Sequence, residues 1–244
     1  MSTLSNRVPL DNVEHQGLRV ALRGSPEIDQ VNQTLVVPTE FEDVQREYPI
    51  FIRKDSADQF VAVALLGLEK GENLFLTDGA WTSNYIPAVH RRGPFFLGVR
   101  ESEGPDQASR ELAVHVDLDD SRVGDERGQP LFKDHGGNAP YLDHVTDALH
   151  TIHEGLGAAP ALFATLDELG LMQPVEIEVD LGDGLTVSLP PMFTIGMERF
   201  QALSGAELER LHRSGFLAPA IFIRSSLPNL TRLIDIKKRK LGRA

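Results

Sequence analysis

The chain contains no cysteine. Disulfide bonds, thiol catalysis, Cys-ligated zinc and Cys-ligated iron–sulfur clusters are therefore excluded together. Nor is there a run near the roughly 18 consecutive apolar residues that a membrane-spanning helix needs. The longest apolar stretch, Phe60 to Leu68, is strand-sized and broken by Gly67 and Gly71, so no membrane span is expected and the chain is not a permease. Positive charge is short as well: 24 Lys and Arg stand against 36 Asp and Glu, a net charge of -12. Phosphate neutralisation requires concentrated cations, so no nucleic-acid partner is expected. The opening residues, MSTLSNRVPLDNVEHQGLRV, have no apolar segment of secretory length and no small-residue cleavage site. A cytoplasmic location is the expectation.

What remains is a chain of ordinary globular make-up, with 41% hydrophobic and 25% charged residues over 244 positions. Residues 1–34 read as a polar N-terminal extension, apart from a short strand at Leu18 to Leu22. Thr39 suits a helix N-cap before the acidic run Glu40 to Glu47, and Tyr48-Pro49 ends that helix. Ile50 to Ile52 and Phe60 to Leu66 read as strands around a polar turn at Asp55 to Asp58. The second is apolar throughout and should be covered on both faces. Phe95 to Val99 and Leu112 to Leu118 form the next strand pair, joined by an exposed loop. Leu142, Val145, Leu149 and Ile152 mark a helix over Tyr141 to Leu156, and a second helix spans Pro160 to Leu171. Pro174 to Leu189 alternates like a hairpin about Gly182-Asp183-Gly184. Short helices follow at Glu198 to Leu203 and at Ser204 to Ser214, the latter opened by a Ser204/Glu207 capping box. A last helix covers Leu227 to Lys240. The pattern predicts a single α+β domain, with a mostly antiparallel sheet and helices concentrated in the C-terminal half. The chain ends in a basic tail, 237–244.

A series of short motifs carries a family resemblance. It comprises Pro9-Leu10, His15, Glu40-Phe41, Tyr48-Pro49-Ile50, Ala64-Leu65-Leu66-Gly67-Leu68, Glu72-Asn73-Leu74-Phe75, Trp81, Tyr85-Ile86-Pro87 and Arg92-Gly93-Pro94-Phe95. Asp117, Leu131-Phe132, Gly136-Gly137, Gly170-Leu171 and Gly215-Phe216-Leu217 follow in order. Together they resemble the bacterial SapC family over nearly the whole chain. The resemblance implies an accessory protein associated with surface-layer export or with outer-membrane transport systems, found beside outer-membrane receptors, flavin-dependent halogenases and cupin-like proteins. It supplies no molecular activity. One departure is Gly93, where many relatives carry an aromatic residue.

The residues offer four candidate chemistries. His115-Val116-Asp117 has the His-x-Asp spacing of two ligands of a facial iron triad; His212 as a third ligand and Arg224-Ser225-Ser226 for a cosubstrate would make a 2-oxoglutarate/iron oxygenase. His212, however, lies in a helical segment, so a structural pair is the better reading of His115 and Asp117. His150 and His153 with Glu154 match no zinc-protease order and read as a solvated helix face. Gly67, Gly71 and Gly79 lack the Gly-Lys-Ser/Thr of a phosphate loop and read as turns. The segment Trp81 to Phe95 is the candidate for recognition: Trp81, Tyr85, His90, Arg91 and Arg92 could receive a small acidic or peptide ligand, or an unidentified protein partner. Arg92, held by Pro94, is expected to matter more than Arg91. No cofactor is expected. Docking through the basic tail is a further alternative.

Overall fold

The computed structural model describes residues 6–22, 26–103 and 108–242. Strands β1 (Arg7–Pro9) and β2 (Arg19–Val20) come first, then a single turn α1 (Pro26–Asp29) and β3 (Gln33–Val36). A 3-10 turn, Pro38–Glu40, runs into α2 (Phe41–Val44). Next are β4 (Ile50–Lys54), β5 (Phe60–Leu65), the short pair β6 (Leu76–Thr77) and β7 (Ala80–Trp81), and α3 (Ala88–Arg91). A long hairpin, β8 (Phe95–Glu103) and β9 (Ala108–Asp117), precedes β10 (Gln129–Pro130) and the helix α4 (Pro140–Glu168). The strands of this hairpin run on through Arg100 to Glu103 and Ala108 to Glu111, where a loop was expected, and the remainder of that loop lies outside the described residues. The chain continues through β11 (Met172–Val175), β12 (Glu178–Asp180), β13 (Thr186–Ser188) and β14 (Met192–Ile195). Helices α5 (Met197–Gln201), α6 (Gly205–Arg213), α7 (Leu217–Ser225) and α8 (Asn229–Lys240) end it.

The fold is α+β with antiparallel sheets. Five strands pair in the order β11-β14-β4-β5-β3, three in the order β1-β9-β8, and three further pairs stand alone. In β5, every residue from Ala62 to Leu65 is buried, flanked by β4 and β3, while Phe60 and Val61 are half-buried. The apolar run therefore has both faces covered over most of its length. Residues of the polar N-terminal stretch are drawn into these sheets: Arg7 to Pro9 pair with Asp117 to His115, and Gln33 to Val36 with Leu65 to Ala62.

Two apolar clusters result. The larger gathers the five-stranded sheet with the C-terminal helices, around Tyr48, Ile50, Leu66, Leu166 and Ile223. The smaller packs β8 and β9 on the start of α4 through Phe95, Val116, Leu131, Leu142, Val145 and Leu149.

Helix α4 corrects the expectation of two helices. It runs unbroken through Pro160, although a mid-helix proline removes a backbone bond and costs about 3 kcal/mol. Packing decides the outcome, because one stripe of this helix serves both clusters. Leu142, Val145 and Leu149 enter the smaller core, and Leu162, Phe163 and Leu166 the larger. Between them Gly155 is buried against the 3-10 turn, where a Cβ would lie 2.4 Å from the Val37 Cβ. Pro160 itself faces solvent, which leaves the freed carbonyl to water.

Other boundaries shift for local reasons. Thr39 is not an N-cap; it lies inside the 3-10 turn, where Pro38 presets the backbone, and its hydroxyl donates to the Thr151 carbonyl on α4 at 2.8 Å. The expected hairpin divides: β12 and β13 pair around the Gly-Asp-Gly turn, but Met172–Val175 turns away to pair with β14. Pro174 is tolerated there because β11 is the edge strand of its sheet. Helix α7 was not anticipated. Its Pro219 falls in the first turn, where a missing N–H costs little. The capping box of α6 forms as expected, with Ser204 Oγ accepting from the Glu207 N–H and Glu207 from the Ser204 N–H at 2.7 Å. The basic tail is in large part a helix end packed on the protein. Lys237 is buried and paired with Glu69 and with Glu72, the latter at 2.6 Å. Burial alone would lower the affinity of its amine for the proton, but the two glutamates outweigh it and raise its pKa. Lys240 donates to the Leu74 carbonyl at 3.3 Å. Among the described residues no helix is long and apolar enough to cross a membrane.

Candidate functional site

The single turn α3 distributes three consecutive residues to three places, because successive helical side chains point about 100° apart. His90 turns inward and is 8% exposed. Its Nδ1 lies 2.5 Å from Asp29 Oδ1 and its Nε2 2.8 Å from Thr34 Oγ1, so both ring nitrogens are engaged. The Trp81 ring sits against it, with centroids 4.9 Å apart. Asn73 supports this group from behind, its amide donating to the Asp29 carbonyl at 2.8 Å.

Arg91 turns to Tyr85. Its Nη2 donates to the Tyr85 hydroxyl at 2.9 Å, and its guanidinium lies 4.9 Å from the centre of that ring. The Tyr85 hydroxyl donates in turn to Glu40 Oε2 at 2.8 Å. Glu40 is 2% exposed and also accepts from the backbone of Ala88 at 2.8 Å and of Val37 at 3.1 Å. Burial pushes the Glu40 carboxyl above its ordinary value, against the pull of these donors and of Arg91. Burial likewise raises the Tyr85 phenol, and the charge of Glu40 raises it further. Glu47 fixes the loop from the other end, accepting from the Tyr85 N–H at 2.8 Å, while the Tyr48 hydroxyl donates to the Tyr85 carbonyl at 2.6 Å.

Arg92 goes elsewhere. Its Nη1 donates to the Phe95 carbonyl at 2.7 Å, and its guanidinium stacks on Phe96 at 4.2 Å, with that of Arg7 4.0 Å from the same ring. Burial, and next the charges of Arg122 and Arg7, hold its pKa below the usual value. Gly93 then reverses the chain with φ of +56°, a conformation that favours glycine.

A cavity of about 440 Å³ opens at the seam of the two cores. Trp81, packed on the larger core, and Tyr141, packed on the smaller, line it together with Asp29, Ile86, His90, Arg91 and Arg122. Arg122 is 5% exposed and held by Asp120 through Nε at 2.9 Å and Nη2 at 2.8 Å. Burial works against the charges of both groups, but their bond prevails, lowering Asp120 and raising Arg122. Among the described residues the buried Arg91 Nε has no hydrogen-bond partner, which is costly for a charged group.

Of the residues singled out in the sequence, the structure brings Trp81, His90 and Arg91 to this cavity, with Tyr85 behind Arg91 and Arg92 outside. Asp29, Glu40, Thr34 and Arg122 were missed as site residues; Glu40 carries a signal, as part of the Glu40-Phe41 motif. His115 and Asp117 share one face of β9, where His115 Nδ1 lies 3.2 Å from the Ala113 carbonyl and Asp117 pairs with Arg7 at 3.6 Å. His212 is exposed on α6, whose Leu211 belongs to the other core, and Arg224, Ser225 and Ser226 lie at the end of α7 and its cap. His150 and Glu154 face each other at 3.4 Å on the exposed side of α4, and His153 is exposed as well. Among the described residues no cluster of three or more His, Asp or Glu could hold a metal ion.

A family model described as SapC matches residues 10–233. The chain belongs to the SapC family. No curated protein and no solved structure matches it. Residues of the motifs that carry the resemblance converge in space: Glu40, Tyr48 and Tyr85 form one hydrogen-bonded unit, and Asn73 and Trp81 flank the His90 group.

Proposed function

We propose that this SapC-family chain is a binding protein without a cofactor, and that the seam cavity receives a small acidic or peptide-like ligand with an apolar body. The observation that supports this most is the composition of the cavity wall. Arg91 and Arg122 stand beside Trp81, Ile86 and Tyr141, with Asp29 occupied by His90, in a space of about 440 Å³, the size and mixture common to small-molecule sites. Family membership supports an accessory role in surface-layer or outer-membrane transport. The oxygenase alternative has less support, because Asp117 is engaged by Arg7 and His212 belongs to a different element and core.

Trp81 is the only tryptophan, so its emission reports on the cavity. Titration with 3-phenylpropionate and with N-acetylphenylalanine should change that emission in the millimolar range or below and release or absorb heat in calorimetry. Arg91→Ala should weaken both responses. Unchanged emission and no heat with either acid would sink this reading.

A further inference from the structure

We propose that the ligand's acidic end is a carboxylate seated between Tyr141 and Arg122, in a subsite that Gly93 keeps open. This rests on the cavity's being a ligand site. It adds which end of the cavity takes the charge and which residue limits the size of what enters.

The geometry comes from three segments remote in sequence. Tyr141 is the second residue of α4, held edge-on against Phe95 with ring centroids 6.3 Å apart. Its hydroxyl is directed at the bare Cα of Gly93: a Cβ built there would lie 3.0 Å from the Tyr141 oxygen. Glycine is needed at position 93 twice, for its φ of +56° and for this close approach. Any larger side chain would occupy the space in front of the phenol. Among the described residues the Tyr141 hydroxyl has no hydrogen-bond partner in the protein. Burial pushes its pKa up to about 12, so the group keeps its proton at neutral pH and is available as a donor.

Arg122 supplies the charge. Asp120 holds the Nε and Nη2 edge of the guanidinium in two bonds, which fixes the plane of the group. The Nη1 nitrogen has no partner among the described residues. A guanidinium oriented in this way pays little entropy to bind a carboxylate. The surroundings add to the attraction, since Arg7, Arg92 and Arg122 lie close enough for the first and last to lower the pKa of Arg92. An anion placed near them relieves like-charge repulsion. Both guanidiniums already meet carboxylates, Arg91 the buried Glu40 and Arg122 both Asp120 and the charge of Asp29, which also lines the cavity. What distinguishes Arg122 is the Tyr141 hydroxyl close enough to feel its charge, a second donor for the same carboxylate. Trp81 and Ile86 are left to cover an apolar body.

The test uses the full chain with 3-phenylpropionate and its neutral counterpart, 3-phenylpropanamide, followed by calorimetry and Trp81 emission. The acid should bind about tenfold more tightly than the amide, because a charge-assisted bond is the stronger. Tyr141→Phe should weaken the acid about tenfold while leaving the thermal midpoint nearly unchanged, since the hydroxyl it removes has no hydrogen-bond partner among the described residues. Gly93→Ala should abolish acid binding; because that variant strains the backbone, Tyr141→Phe decides the matter if it does not fold. Undiminished binding of the acid by Tyr141→Phe, or equal binding of acid and amide, would overturn the subsite while leaving the cavity a ligand site. Binding of neither probe by the wild-type chain would remove both.

Discussion

The two cores of this protein are held in different ways. The larger one closes on apolar contact, with Tyr48, Ile50, Ile52, Leu66, Leu166 and Ile223 all fully buried. The smaller one has far fewer buried residues and is laced with arginines. Arg19 donates to the Gly128 carbonyl at 2.9 Å, Arg92 to that of Phe95 at 2.7 Å, Arg122 grips Asp120, and Arg7 pairs with Asp117. Apolar stabilisation scales with the area removed from water, so a small layer gains less of it and relies more on directional polar bonds. Such bonds also leave polar edges directed at the seam. The cavity lies where the two modes of cohesion meet.

Helix α4 allows this contrast to be measured with one substitution in two places. Leu166→Ala in the larger core should cost about 3–5 kcal/mol, and Leu149→Ala in the smaller about 2–3 kcal/mol, by urea denaturation. Equal losses would break the comparison. Glu40, which bridges toward the seam, should come next. Glu40→Ala strands the N–H groups of Val37 and Ala88, at a cost of about 2–3 kcal/mol. The pH dependence has a definite sign. With its folded pKa above the ordinary 4.5, Glu40 binds a proton more tightly in the native state than in the unfolded one. Its contribution therefore falls as pH rises from 4.5 through the raised folded value. In Glu40→Gln that part of the decline should vanish from urea midpoints taken across the range.

Arg92→Ala should cost about 1–2 kcal/mol through its bond to Phe95 and its stacking on Phe96. Hydrogen exchange sharpens the comparison here: amides of β8 and β9 should exchange faster while those of β4 and β5 keep their protection. Arg91→Ala should change stability less than Arg92→Ala and ligand binding more. The smallest effect concerns the C-terminal helices. Ser204→Ala should cost about 1 kcal/mol through the lost cap of α6, with no change in the exchange of β8.

Elements whose signal is local could be read in the sequence. The β4–β5 hairpin, the Gly182-Asp183-Gly184 turn and the Ser204 cap each depend on residues a few positions apart. The continuity of α4 could not, because Pro160 is locally a helix breaker and is overruled by leucines that pack on two different cores. The same limit governed the site. Trp81, His90 and Arg91 were visible as a cluster in one segment, whereas Asp29 and Arg122 reach the cavity, and Thr34 reaches His90, from segments tens of residues away. Arg91 and Arg92 are adjacent in the chain, and there Pro94 favours Arg92, whereas in the fold Arg91 lines the cavity and Arg92 lies on Phe95 and Phe96. One helical turn sends them to opposite sides, which is a fact of geometry that letters alone do not carry.

The unbroken α4 has a consequence for how the molecule comes apart. At about 1.5 Å per residue, its 29 residues form a rod of roughly 43 Å whose two halves are each stabilised by a different core. Helix formation is cooperative, so melting one half deprives the other of its neighbours. Unfolding should then proceed as one transition, seen at the same denaturant concentration by far-UV circular dichroism and by Trp81 emission, even though the layers it joins differ in strength.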